Sequence, residues 1–154
     1  MKVSILGHGV VGKGVWEMLK SNPGYEIRNV LVKKGEKSAD FMTESFDAVL
    51  ADDSDLVIEC MGGIDPAFEF TSKCLEAGKS IISSNKALVA AHGIDLMNIA
   101  LRKGKAFFSA RHAEELFPFS RTFVLPGARM RFCGQEESST GQLTTSWIPW
   151  TGAT

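Results

Sequence analysis

The chain begins with a strand-like apolar run that leads directly into a glycine-rich loop. Lys2–Leu6 is followed without a break by Gly-His-Gly-Val-Val-Gly over residues 7–12, and an apolar helix pattern then starts. A strand, a glycine loop and a helix in this order build the pyrophosphate site of dinucleotide-binding folds. We therefore predict that Gly7, Gly9 and Gly12 form a binding site for NAD or NADP.

Each glycine of this loop has its own expected role. Gly7 permits the tight turn, and Gly9 lets backbone N–H groups approach a phosphate that a Cβ would obstruct. Gly12 lets the helix pack close to the strand. The N-terminus of the helix then offers free N–H groups and a positive dipole end to an anion. The alternative is an ordinary strand–turn–helix junction in which the glycines serve close packing alone.

Composition limits the class of protein. The chain has 154 residues with 44% hydrophobic and 23% charged content and a net charge of −1, which suits one globular domain with a substantial core. The balanced charge gives no reason to expect nucleic acid, and no apolar run has the length of a membrane span or a signal peptide. Cys60, Cys74 and Cys133 lack paired or metal-type spacing. We expect a cytoplasmic protein with a small-molecule substrate and no metal.

Strand and helix signals alternate over residues 1–108. Strand patterns occur at residues 2–6, 26–32, 56–60, 80–82 and 105–108, and residues 41–50 hold a short helix and a short strand. A helix is expected to start with Asp65 as N-cap and Pro66 as its first residue, and another helix is expected over residues 93–103. This alternation predicts an α/β fold with a doubly wound parallel sheet of Rossmann type.

In such a sheet, ligands bind beyond the carboxyl ends of the strands. The loops at residues 7–12, 62–63 and 83–86 each follow a predicted strand, so all three are expected at that edge. Residues 83–86 are interpreted as an exit loop that carries Lys86.

The chain resembles the nucleotide-binding domain of homoserine dehydrogenases in four segments. They are GHGVVGKGV at residues 7–15, VLVK at 30–33, VIECMGG at 57–63 and SNKAL at 84–88. The resemblance covers residues 1–108. It implies an NAD(P)-dependent oxidoreductase that interconverts L-homoserine and L-aspartate 4-semialdehyde, a step of threonine and methionine biosynthesis.

Positions of the family's cofactor contacts transfer onto this chain through those segments. The resemblance implies that Gly9, Val10 and Val11 lie on the cofactor pyrophosphate. It also implies that Gly62 borders the cofactor and that Ser84 lies near the nicotinamide ribose.

Lys86 matches the family lysine that reaches the nicotinamide and the substrate, which implies a catalytic role. Negative charge develops on the carbonyl oxygen as hydride arrives, so a cation or proton donor is needed at that point. The alternative is a solvated lysine that follows a strand.

The end of the second strand bears on the choice of cofactor. NAD sites usually carry an acidic residue there for the ribose hydroxyl, whereas NADP sites use basic groups. Lys33 and Lys34 follow Val32 directly, and Glu36 comes later. This pattern favours NADP over NAD with Lys33 as a contact, unless the lysine pair only solvates a turn.

The family resemblance ends after Phe108. The family continues with blocks resembling EASVGGGIPI and NGTTNYIL, and neither is present in residues 109–154. Read in a shifted codon frame, residues 110–119 and 139–151 permit peptides similar to both blocks. We hypothesise that residues 109–154 form an out-of-frame, poorly ordered tail. The chain would then be truncated relative to the family, with a Rossmann-type sheet that is incomplete at the C-terminal end. A genuinely divergent C-terminal segment is the alternative.

Two other functions stay open at this point. The first is an inactive nucleotide-binding fragment, and the second is another NAD(P)-dependent reductase with the same nucleotide fold. The family forms homo-oligomers, and the sequence leaves the oligomeric state of this chain open.

Overall fold

The computed structural model describes residues 1–109, 122–125, 128–137 and 143–149. The chain divides into two compact units, Met1–Arg111 and His112–Thr154. The residues of the predicted nucleotide site all lie in the first unit.

The first unit is a parallel six-stranded sheet with helices between its strands. Its elements are β1 (Lys2–Leu6), α1 (Val10–Lys20), β2 (Glu26–Leu31), β3 (Met42–Thr43), α2 (Phe46–Ala51), β4 (Leu56–Glu59), α3 (Ala67–Glu76), β5 (Ser80–Ser83), α4 (Lys86–Lys103) and β6 (Phe107–Ser109). The strand order is β3-β2-β1-β4-β5-β6, and every neighbouring pair is parallel. The predicted doubly wound α/β sheet is confirmed.

Alternate side chains of β1 enter separate hydrophobic clusters. Leu6 belongs to a cluster with Leu75 of α3 and Leu96 of α4, whereas Ile5 packs in a cluster with Val30 and Trp16 of α1. Successive residues of a strand point to opposite faces of its sheet. The sheet therefore carries apolar packing on both faces, which is the arrangement that parallel sheets require.

The last helix begins earlier than the sequence pattern indicated. α4 starts at Lys86, not at residue 93, and Asn85 caps it because its side-chain oxygen accepts the Leu88 N–H at 3.1 Å. Gly93 lies inside the helix, where an added Cβ would be in ordinary contact at 3.4 Å from Val89. Lys86 is thus the first residue of a helix and not part of an exit loop.

The start of α3 differs from the prediction by one residue. Pro66 is the N-cap and Ala67 the first helical residue, because Pro66 has φ −87° and ψ 12°, outside the regular helical region. Asp65 is joined to Pro66 by a cis peptide bond and does not cap the helix.

The second unit contains an antiparallel sheet. Its strands are β7 (Thr122–Leu125), β8 (Ala128–Glu137) and β9 (Leu143–Pro149), in the order β7-β8-β9. Much of the hypothesis on residues 109–154 falls outside the described residues, including all of the shifted-frame segment 110–119 and residues 139–142 and 150–151 of the segment 139–151. The hypothesis of an out-of-frame, poorly ordered tail stays a prediction.

Within the described part of the chain, no helix combines the length and the apolar character needed to cross a membrane.

Candidate functional site

Three loops meet at one edge of the six-stranded sheet because their strands end in register. Leu6 of β1 pairs with Glu59 of β4, and Glu59 pairs with Ser83 of β5. Each of these residues is the last of its strand. The glycine loop, the loop after β4 and the turn before α4 therefore lie side by side at the carboxyl edge, where ligands bind in open α/β sheets.

Gly7 and Gly12 shape the glycine loop. Gly7 has φ +97°, a conformation that favours glycine, and its N–H donates to the Leu31 carbonyl at 3.0 Å. A Cβ on Gly12 would lie 2.1 Å from the Gly7 carbonyl oxygen, so the helix and the turn could not approach each other. The atoms nearest to that Cβ belong to Gly7, the residue that directly follows β1, and, at 3.6 Å, to Cys60 after β4.

Gly9 differs from these two glycines because the space beside it is open. Apart from its two chain neighbours, no described residue has a heavy atom within 4 Å of the position that its Cβ would occupy. The first hydrogen bond of α1 runs from Lys13 N–H to the Gly9 carbonyl at 2.9 Å. The amides of Val10, Val11 and Gly12 consequently have no acceptor inside the helix. Open space beside unpaired amides at a helix N-terminus fits the diphosphate of a nucleotide.

A cleft of about 970 Å³ runs along this edge. Its size lies at the upper end of the range of about 300–1,000 Å³ that is usual for ligand sites. Four of the predicted site residues line it, namely Gly7, Gly9, Lys33 and Gly62. Five others do not, namely Val10, Val11, Gly12, Ser84 and Lys86.

Both signs of charge line the cleft near the end of β2. Lys13 and Lys33 are cationic, and Glu36 and Glu44 are anionic. The Glu44 carboxylate accepts the Gly35 N–H at 2.9 Å, so this carboxylate helps to close the turn after β2. The sequence pattern did not reveal Glu44, because the residue follows a two-residue strand that brings it back to the end of β2.

The His8 side chain also lines the cleft. Its ring meets Trp16 and Phe41 edge-on, with centroids 6.1 and 6.3 Å away. Its buried Nδ1 has no hydrogen-bond partner among the described residues. Burial, together with the nearby Lys13 ammonium, lowers the pKa of His8, so the neutral imidazole predominates near pH 7.

Ser84 lies in the turn between β5 and α4, and Lys86 is the first residue of α4. The Ser84 N–H and hydroxyl both donate to the Glu59 carbonyl, at 2.9 and 3.2 Å. Lys86 is exposed on the first turn of α4. Within the part of the chain that the structure describes, its ammonium forms no hydrogen bond or ion pair.

Glu59 is a functional-site candidate that sequence reasoning did not single out. Its side chain is fully buried at the end of β4 and accepts the Met61 N–H at 2.6 Å and the Ser83 hydroxyl at 2.5 Å. Burial raises the pKa of this carboxyl, and the hydrogen bonds from Ser83 and Met61 oppose the rise. A carboxylate in an otherwise apolar strand was the available signal, because acidic residues are rarely buried completely.

The described residues contain no group of three or more His, Cys, Asp or Glu side chains placed to hold a metal ion.

Comparisons with known proteins point to one family. A family model described as the homoserine dehydrogenase NAD-binding domain matches residues 7–109. The homoserine dehydrogenase of Pseudomonas aeruginosa is 30% identical over 118 residues, which cover 68% of this chain and 27% of that protein. The homoserine dehydrogenase of Corynebacterium glutamicum is 32% identical over 113 residues, which cover 64% of this chain and 25% of that protein.

Solved structures give the same result. A crystal structure of S. aureus homoserine dehydrogenase at pH 7.0 superimposes with a TM-score of 0.64 and 30% identity, over 71% of this chain and 32% of that chain. A homoserine dehydrogenase from Thiobacillus denitrificans superimposes with a TM-score of 0.67 and 25% identity, over 79% and 34% of the two chains. The chain spans between 25% and 34% of the length of these four proteins.

Proposed function

The chain belongs to the homoserine dehydrogenase family, and we propose that its first unit binds a nicotinamide nucleotide in the cleft at the carboxyl edge of the sheet. The open space beside Gly9, next to the unpaired amides that begin α1, is the observation that carries this proposal. The diphosphate would accept hydrogen bonds from the amides of Val10 and Val11. Gly62 would border the nucleotide, and Ser84 would lie near the nicotinamide ribose.

The reaction that we propose is the NAD(P)-dependent interconversion of L-homoserine and L-aspartate 4-semialdehyde. A bound nicotinamide supplies the hydride donor or acceptor. Lys86 is the residue of this chain that would stabilise negative charge on the substrate carbonyl oxygen and exchange a proton with it. Its exposed position on the first turn of α4 supports this role, because the ammonium is not engaged by another described group.

We propose NADP as the preferred cofactor, with Lys33 as the contact for the 2′-phosphate. Lys33 lines the cleft at the end of β2, and the Glu44 carboxylate beside it is turned to the Gly35 amide. Replacing Lys33 by alanine is expected to weaken NADPH binding about tenfold, because a charge-assisted contact is worth roughly 1.5 kcal/mol, with little effect on NADH. Lys34→Ala is the matched control, since Lys34 does not line the cleft.

Fluorescence titration of the protein with NADPH and NADH measures these affinities directly. If Lys33→Ala lowered the affinity for NADPH and NADH equally, the assignment of the 2′-phosphate to Lys33 would be contradicted. The same holds if Lys34→Ala lowered the NADPH affinity as much as Lys33→Ala does. A wild-type protein that binds neither nucleotide would contradict the proposed function itself.

Turnover of homoserine separates the two candidate activities. The dehydrogenase proposal predicts NADPH formation from L-homoserine and NADP⁺. It also predicts that Lys86→Met abolishes turnover without lowering the affinity for the nucleotide. Binding without turnover would favour a nucleotide-binding module. The module is a second candidate because the matching family model is that of the NAD-binding domain, over residues 7–109.

We place the protein in the cytoplasm, a reducing compartment. Cys60 and Cys74 are free thiols in the first unit. Burial raises the pKa of Cys60 to about 11 and that of Cys74 to about 12, so both stay protonated and weakly reactive.

A further inference from the structure

Glu59 is buried without a cationic partner at the edge where the nucleotide is proposed to bind. Its exposed fraction is 0%, and no ion pair to it exists among the described residues. Burying a carboxylate is costly unless hydrogen bonds compensate for the lost water. Here the two oxygens accept hydrogen bonds from two different segments, the Met61 amide after β4 and the Ser83 hydroxyl at the end of β5.

The hydrogen bonds continue from Ser83 to the start of α4. The Ser83 oxygen accepts the Asn85 N–H at 3.1 Å, and Asn85 then caps the helix through Leu88. The Asn85 side-chain amide donates to the Gly63 carbonyl at 2.5 Å. Glu59, Ser83 and Asn85 thus connect the Met61–Gly63 loop to the first turn of α4 through two separate contacts.

This network holds two segments that carry predicted site residues. Gly62 lies between Met61 and Gly63 in the first segment, and Lys86 follows Asn85 directly in the second. The distance between the Gly62 backbone and the start of α4 is therefore set by side-chain hydrogen bonds from the interior of the sheet.

We propose that Glu59 is a positioning residue that fixes the nicotinamide half of the nucleotide site. The inference rests on the proposed nucleotide-binding function. Glu59 holds the Gly62 loop and the Lys86 turn at a constant separation, while the glycine loop and Lys33 form the half that binds the adenosine and phosphate groups. A change at Glu59 consequently acts on one end of the bound nucleotide and not on the other.

Two variants test this selectivity in the full chain. In Glu59→Gln the amide nitrogen cannot accept the Met61 N–H or the Ser83 O–H, so one link must be lost or reversed. In Ser83→Ala the carboxylate loses its connection to Asn85. Ser80→Ala is the matched control, because it makes the same change in the same strand at the end remote from the cleft.

The measurement compares a whole nucleotide with its adenosine half. The titrations use whichever of NADPH and NADH the wild-type protein binds more tightly. The matching fragment is then titrated, which is 2′,5′-ADP for NADPH or ADP for NADH. Glu59→Gln and Ser83→Ala are each expected to lower the affinity for the whole nucleotide about fivefold, which is the effect of one lost hydrogen bond. They leave the affinity for the fragment unchanged, and both reduce the shift in nicotinamide fluorescence on binding. Ser80→Ala is expected to match wild type throughout.

The outcomes separate the inference from the proposed function. Wild-type affinity for the whole nucleotide in both variants would overturn the positioning role. Equal losses of affinity for the nucleotide and the fragment, together with a lower melting temperature, would show that Glu59 has a purely structural role. That result would also overturn the positioning role. Failure of the wild-type protein to bind either nucleotide would instead overturn the proposed function on which the inference rests.

Discussion

At the scale of single residues, Gly9 is the position where a substitution is expected to impair nucleotide binding without impairing folding. Apart from its two chain neighbours, no described residue comes within 4 Å of a Cβ at this position, and the backbone φ is −74°, which any residue adopts. An added methyl group would therefore leave the loop intact and occupy the space proposed for the diphosphate. Gly12 offers no such separation, because its Cβ would overlap the Gly7 carbonyl oxygen.

We predict that Gly9→Ala weakens binding of NADPH and NADH by tenfold or more and leaves the melting temperature within about a degree of wild type. Fluorescence titration and thermal unfolding measure the two properties. Gly14→Ala is the control, since a Cβ there also projects into open space but Gly14 does not line the cleft. Wild-type affinity in Gly9→Ala would remove the main support for the proposed diphosphate position.

At the scale of elements, a buried polar cluster joins four of them at the edge opposite the cleft. Asp52 follows α2, and its carboxylate accepts hydrogen bonds from Ser4 of β1 at 2.6 Å and from Asn29 of β2 at 2.7 Å. The Lys79 ammonium, just before β5, lies 2.8 Å from the same carboxylate, and the two side chains are 5% and 7% exposed. Lys79 also donates to the Ser54 hydroxyl at 3.0 Å.

This cluster makes the stability of the sheet depend on pH. Burial alone would raise the pKa of Asp52, but hydrogen bonds from Asn29, Lys79, Ser4 and Ser54 together hold it well below its usual range. A depressed pKa in the folded state favours the ionised carboxylate. The stabilisation is therefore complete above the unfolded pKa of about 4 and is lost as the pH falls below that value.

We predict that Asp52→Asn lowers the free energy of unfolding by about 3 kcal/mol at pH 7, because the Lys79 charge stays buried without its partner. The difference from wild type should shrink as the pH falls from about 5 to about 3. Urea unfolding across this pH range measures it. Asp53→Asn is the neighbouring control, since Asp53 pairs with Lys2 and Arg28 at the exposed surface. A difference that stays constant with pH would contradict the role of the Asp52 charge.

Local sequence patterns predicted the strands and the glycine loop because both depend on neighbouring residues. The apolar runs of β1, β4 and β5 and the spacing of Gly7, Gly9 and Gly12 are properties of short segments. The start of α4 was wrong because Gly93 was interpreted as a boundary, although glycine inside a helix costs only about 1 kcal/mol.

The network around Glu59 was not predictable in the same way. Its partners are brought together by the pairing of Glu59 with Ser83, two residues that are distant in the sequence. The Glu44 carboxylate reaches the cleft for a similar reason, through the pairing of β2 with β3. The polar contacts of the candidate site thus depend on strand register, which follows from the assembled sheet and not from any one segment.

At the scale of the whole molecule, the ligand is proposed to bind the first of the two compact units. Every described residue that lines the cleft belongs to Met1–Arg111. A ligand that binds only the folded state stabilises it in proportion to the logarithm of its concentration, by about 2.7 kcal/mol at a hundredfold excess over Kd. This stabilisation should act on the unit that forms the cleft.

We therefore predict that saturating NADPH slows amide hydrogen exchange in the first unit and leaves residues 112–154 unchanged. The largest effects are expected in peptides that cover residues 7–13, 32–36 and 61–66, where the cleft is lined most densely. Exchange followed by mass spectrometry on the full chain measures both units in one experiment, and Gly9→Ala supplies the control that should lose the effect. Slower exchange over residues 112–154 of the same size would mean that the nucleotide also engages the second unit, and the cleft would then be an incomplete description of the site.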